Sequence, residues 1–137
     1  MAKLSQQEIL DLLAEPHLTH LATVRPDGRP HLTPIWYVEK DGKAFVMANA
    51  NAVKFRNVRH NPKVSLSIAT DQRPYKYVVL EGEGRIIDEN LDQVIERICI
   101  KYDGPERGRA YAQELVAVGE VRVLEVQVNR VLSWGSE

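Results

Sequence analysis

The sequence predicts a mainly β protein with flanking α-helices, an α+β chain whose six strands close into a small antiparallel barrel. Three observations carry this. Short apolar stretches follow one another with turn chemistry between most of them. Few helical segments are long enough to cover an open sheet. The regular strand–helix alternation of a doubly wound parallel sheet is missing.

Ser5-Gln6-Gln7-Glu8 has the form of a capping box, in which hydroxyl and carboxylate each reach an orphan backbone N–H. Ile9, Leu10, Leu12 and Leu13 make the apolar stripe of the short helix that follows, and Pro16 ends it. Leu18 to Val24 is apolar and threonine-rich and predicts the first strand. Arg25-Pro26-Asp27-Gly28 supplies turn residues, and Pro30 to Val38 predicts the second strand. Proline inside that strand favours an edge or a bulge. Lys40-Asp41-Gly42-Lys43 carries the Asp-Gly hairpin signature, which leads to a third strand over Ala44 to Ala48.

Asn51 is the expected cap of a helix from about Ala52 to His60, stopped by Asn61-Pro62. Val64 to Ile68 alternates cleanly and predicts a strand with one buried face. Tyr75 to Leu80 predicts the fifth strand, running to Ile87 with a bend or bulge at Gly82 and Gly84. Asp88 is the expected cap of a longer helix. Its face is Leu91, Val94, Ile95, Ile98 and Tyr102 at helical spacing. Asp103-Gly104-Pro105 breaks it, and Arg107 to Leu115 predicts a further short helix. Val121 to Trp134 is the last strand. Its alternation slips between Val123 and Leu124, which predicts a bulge there.

Composition narrows the function. The chain has 137 residues, which allows one domain, 1–137. A net charge of -1 leaves no broad basic footprint for nucleic acid. No apolar run approaches the roughly 18 residues of a membrane span. The start turns polar at once, so no signal peptide is expected. A single cysteine, Cys99, excludes an internal disulfide and fits a cytoplasmic location. Four scattered histidines and that cysteine give no metal-ligand spacing.

Two segments can carry chemistry. From Asn49 to Arg59 the chain passes from a strand end into a helix start, where free N–H groups favour an anion. Lys54, with Arg56 and Arg59 close behind it, is a cation set against the dipole of a helix start, which makes sense under a phosphate or carboxylate; a solvated basic face is the plainer reading. The second segment, His31 to Tyr37, places Thr33 and Trp36 about a proline. They can offer a hydroxyl and an aromatic edge to a planar ligand, or be ordinary strand residues. Classical catalytic motifs are missing, which points to a bound cofactor as the carrier of any reaction.

Lys54-Phe55-Arg56-Asn57-Val58-Arg59 followed by Asn61-Pro62-Lys63-Val64-Ser65-Leu66 resembles the flavin-binding split-barrel family. That family includes pyridoxamine 5′-phosphate oxidase and the reductases dependent on the deazaflavin coenzyme F-420. The run from Leu21 to Pro30, followed by Thr33-Pro34-Ile35-Trp36-Tyr37, is similar to the F-420 branch. Tyr77 to Gly82 and Val128 to Val131 fit later strands of the same pattern. The resemblance implies an FMN-type split barrel and a homodimer with the cofactor at its interface. It places the phosphate against Lys54, Arg56 and Asn57. The ring lies along Thr33, Pro34, Ile35 and Trp36, with Met47, Ala48 and Asn49, and Tyr77 beside it. The implied function is hydride transfer from coenzyme F-420 to a small unsaturated or quinone-like substrate. Alternatives are an FMN oxidase or reductase and a non-catalytic carrier of flavin, deazaflavin or haem. Val53 stands where the oxidase pattern has arginine, Tyr37 falls on its second phosphate lysine, and its longer C-terminal segment has no counterpart before Glu137. These departures set the expectation against pyridoxamine phosphate oxidation.

Overall fold

A computed structural model describes residues 2–135. In chain order the elements are α1 (Gln6–Ala14), β1 (Thr19–Val24), β2 (Pro30–Ile35), β3 (Tyr37–Lys40), β4 (Lys43–Asn49) and α2 (Val53–His60). Then follow β5 (Lys63–Ala69), β6 (Lys76–Ile87), α3 (Leu91–Asp103), α4 (Pro105–Val118) and β7 (Val121–Gly135). The strands form one sheet in the order β2-β1-β5-β6-β7-β4-β3, with every pairing antiparallel.

The two edge strands are consecutive in sequence and separated by Trp36 alone. One chain segment therefore pairs with β1 through its first half and with β4 through its second. The sheet curls until its edges meet at this residue, which makes a split barrel. The sequence predicts six strands because Pro30 to Val38 reads as one run. The break at Trp36 makes seven, and its cause is tertiary. The indole stacks on Tyr102 of α3 at 4.7 Å with 2° between planes, and meets Tyr111 of α4 edge-on at 6.4 Å.

The local signals explain most elements. Ser5 Oγ accepts from the Glu8 N–H, and Glu8 accepts from the Ser5 N–H, closing the capping box. Asp41 and Gly42 both hold positive φ, 54° and 79°, the type I′ geometry that matches strand twist. Asn51 does not cap α2. The N-cap is Ala52, and the Asn51 N–H is taken by Asn49 Oδ1 at 3.0 Å. Asp88 likewise gives way to Asn90 as the N-cap of α3. The short helix expected over Arg107 to Leu115 is the central part of the longer α4.

The barrel interior holds Leu21, Tyr37, Val46, Leu66, Leu80 and Leu124, closed by Phe55 and Val58 of α2 and Leu12 and Leu13 of α1. A second apolar cluster lies outside, where Val123 and Ile87 meet Ile95, Cys99 and Ala112 of the α3–α4 pair. This corrects the bulge predicted at Val123 and Leu124. Both are buried because β7 has a core on each face there, and pairing with β6 is regular. The true irregularity lies at Glu81 and Gly82, which pair with Arg130 and Val128 and leave Asn129 as the extra residue.

The end of α1 is pinned by aromatic and cationic groups. Tyr37 Oη donates to the Leu13 carbonyl at 3.0 Å, and Lys101 Nζ donates to the same oxygen at 2.8 Å. That ammonium lies 3.7 Å from the Tyr37 ring centre. Burial pushes Lys101 down to about 8, with Glu39 working against the fall. Between that value and the ordinary 10.5, the unfolded chain holds the lysine proton and the native one does not. Stability should therefore rise with pH through this window. We expect the urea midpoint to rise from pH 8 towards about 9.5 in the native sequence and to stay flatter in Lys101→Met. Equal slopes would contradict it.

Candidate functional site

The site lies where β1 carries α2 on its inner face and β2 along its edge. In β2, Leu32 and Pro34 are exposed, whereas His31 and Thr33 alternate with them. Thr33 stands across from Leu21 and His31 across from Thr23, and both partners are buried. Directly opposed residues share a face of the sheet, so His31 and Thr33 turn inward. Helix α2 is tied down at the same place. Asn57 Nδ2 donates to Thr23 Oγ1 at 3.0 Å within the interior. Lys54 precedes Asn57 by three residues and so shares its face of the helix.

The electrostatics are one-sided. Lys54 is half-buried, and burial pushes its ammonium below the ordinary lysine range. It makes no hydrogen bond or ion pair among the described residues. Burial first, then the charges of Arg25 and Lys54, push the His31 imidazole down. His31 Nδ1 and Thr33 Oγ1 are shielded from solvent without a hydrogen-bond partner among the described residues. Each such group costs about 1–3 kcal/mol. Helix α2 adds no acidic residue in its first turn and no side-chain cap. An anion that accepts hydrogen bonds from the Thr33 hydroxyl and lies against Lys54 would relieve all of these at once. The residues therefore fit a phosphate.

The other residues expected at the site fall in several places. Ile35 and Ala48 pack against the barrel core, and Pro34 is exposed on the edge strand. Trp36 stacks on α3. Met47 packs against the outer cluster beside α3 and α4. Asn49 is exposed, and its carbonyl accepts from the Ala52 N–H at 2.9 Å, shaping the entry to α2. Arg56 is exposed. Tyr77 is exposed and stacks on Trp134 at 5.9 Å; it pairs with Ala69 and lies on the outer face, away from Thr33. His31 feels the charge of Lys54 and shares its strand face with Thr33, so it links the two, while Met47 and Tyr77 face elsewhere. Its only signal in the sequence is its i, i+2 spacing from Thr33 on a strand.

Asn57 is 3% exposed and serves the α2–β1 joint. Asn57→Ala leaves Thr23 Oγ1 without that partner. We expect a stability loss of about 1–3 kcal/mol in urea denaturation, and unchanged stability would contradict this role.

Comparison with known proteins agrees with this architecture. The family described as pyridoxamine 5′-phosphate oxidase matches residues 5–135. A conserved hypothetical protein of Mycobacterium tuberculosis is 29% identical, with a TM-score of 0.83 over 96% of this chain and 85% of that one. An F420 reductase is 24% identical, with a TM-score of 0.70 over 88% and 93%. The haem storage protein HutZ of Vibrio cholerae is 21% identical, with a TM-score of 0.73 over 92% of each chain. No curated protein matches the sequence. With a family match that spans the whole barrel and its helices, the chain belongs to the pyridoxamine 5′-phosphate oxidase family.

Proposed function

We propose that this protein is a homodimeric oxidoreductase that uses coenzyme F-420 to reduce a small unsaturated or quinone-like compound. The observation that carries the reading is twofold: Lys54 is half-buried with no counter-charge among the described residues, and Thr33, on the strand face of the His31 that Lys54 acts on, has a shielded and unpaired hydroxyl. Lys54 holds the cofactor phosphate, aided by the uncapped start of α2, and Thr33 donates to one of its oxygens. Asn57 keeps α2 in place, and Arg56 adds charge at the rim. The deazaflavin ring, when bound, supplies the hydride. Ile35, Trp36 and Ala48 are the apolar side chains that would shield it from water. The F420 reductase among the similar structures supports the choice of cofactor.

FMN offers the same phosphate chemistry and is the second reading. Tyr37 weighs against the oxidase's own arrangement. It is fully buried, its hydroxyl is committed to Leu13, and it supplies no cation. The outer face of β1, β2, β5, β6 and β7 supports the dimer. Leu32 is 63% exposed there, and Tyr77, Leu132 and Trp134 share the face. Trp134 Nε1 is shielded without an acceptor among the described residues. A second copy laid on this face covers the apolar side chains.

Anaerobic reoxidation tests the reaction. Protein loaded with reduced F-420 should return the oxidised deazaflavin when a small naphthoquinone is added. Tight binding with no reoxidation by any quinone or enone would favour a carrier role instead. HutZ makes that alternative concrete for haem.

A further inference from the structure

We propose that His31 is the proton-coupled contact of the anion site, taking up one proton from solvent as an anion enters between Lys54 and Thr33. This rests on the reading of that place as a phosphate site. The placement follows from the register. His31 stands across from Thr23, whose hydroxyl is bound by Asn57 of α2, and Lys54 is one turn earlier on the same helical face. His31 Nδ1 is shielded, makes no hydrogen bond, and lies on the same strand face as the equally unpaired Thr33 Oγ1.

The charged groups that act on His31 are Arg25 in the β1–β2 turn and Lys54 in α2, both cationic. The carboxylate of that turn, Asp27, is engaged by Arg29 at 2.8 Å. In the free protein burial first, and then these cations, disfavour the protonated imidazole. An anion reverses the balance, because it offsets both cations and offers an acceptor to the ring N–H. By linkage, a proton taken up on binding makes the affinity rise as pH falls.

Inorganic sulfate is the probe, since it does not titrate near neutrality. In the native protein its affinity should weaken as pH rises through the titration of the imidazole, by at most about tenfold per pH unit. The His31 imidazole resonance, identified by its loss in His31→Gln, should move to higher pKa on adding sulfate. His31→Gln should bind sulfate with a flat pH profile. A native profile as flat as the variant's, or a resonance that does not respond to bound sulfate, would overturn the inference while leaving the phosphate site standing. If neither sulfate nor F-420 binds the native protein, the site itself fails and the inference with it. The resonance shift is read in the native chain, so the test survives a variant that folds poorly.

Discussion

Gly82→Ala should lower stability by about 3 kcal/mol or more, because the new methyl has nowhere to go. Strands β6 and β7 form the longest pairing in the sheet, and the extra residue Asn129 crosses it at Gly82. A Cβ on Gly82 would overlap the Gln127 carbonyl oxygen and lie 3.1 Å from Val128 Cα. These are backbone atoms in a paired strand, so relief requires the strands to part. Gly84 is the control. Its Cβ would lie 3.0 Å from a Leu124 methyl, which can rotate away. We expect Gly82→Ala to lower Tm by about 10 °C and Gly84→Ala by clearly less. Equal losses would mean that the bulge does not set the register.

Lys54→Ala should weaken cofactor binding by about 10- to 150-fold, the range for losing a hydrogen bond to a charged group. The same substitution should leave the unliganded protein as stable as before or slightly more so. Lys54 now holds a half-buried charge that no carboxylate offsets. This opposite pair of effects distinguishes a binding lysine from a structural one. Calorimetry of the free variant and titration with F-420 together give both. A variant that loses stability and affinity in parallel would contradict the assignment.

Much of the fold is legible in the sequence where one local interaction decides the geometry. The Asp41-Gly42 turn needs two residues at positive φ, and the Ser5–Glu8 box needs only its own four residues. The edge position of β2 is announced by Pro34. Legibility fails where partners are distant. Nothing in Pro30 to Val38 signals that Tyr102 will stack on Trp36 and break the strand. Consecutive apolar residues at Val123 and Leu124 look like a slipped strand until α3 and α4 supply a second core. Asn51 has the side chain of a cap, but its own N–H is captured by Asn49 and the helix starts later.

The candidate site divides in the same way. Lys54 is legible because a cation in the first turn of a helix is locally unfavourable and asks for an anion. The role of Asn57 depends on Thr23, 34 residues earlier, and that of His31 on the register of β1 with β2. The outward turn of Tyr77 follows from its pairing with Ala69 and Trp134, which no motif encodes.

In the proposed function Lys54 and Thr33 hold the phosphate of a deazaflavin. Side-by-side fluorescence titration of the native protein with F-420 and with FMN tests it most directly. The expected result is saturable F-420 binding, weaker FMN binding, and F-420 binding weakened about 10- to 150-fold in Lys54→Ala. Saturable F-420 binding that is unchanged in Lys54→Ala, or no binding of either cofactor by the native protein, would contradict it.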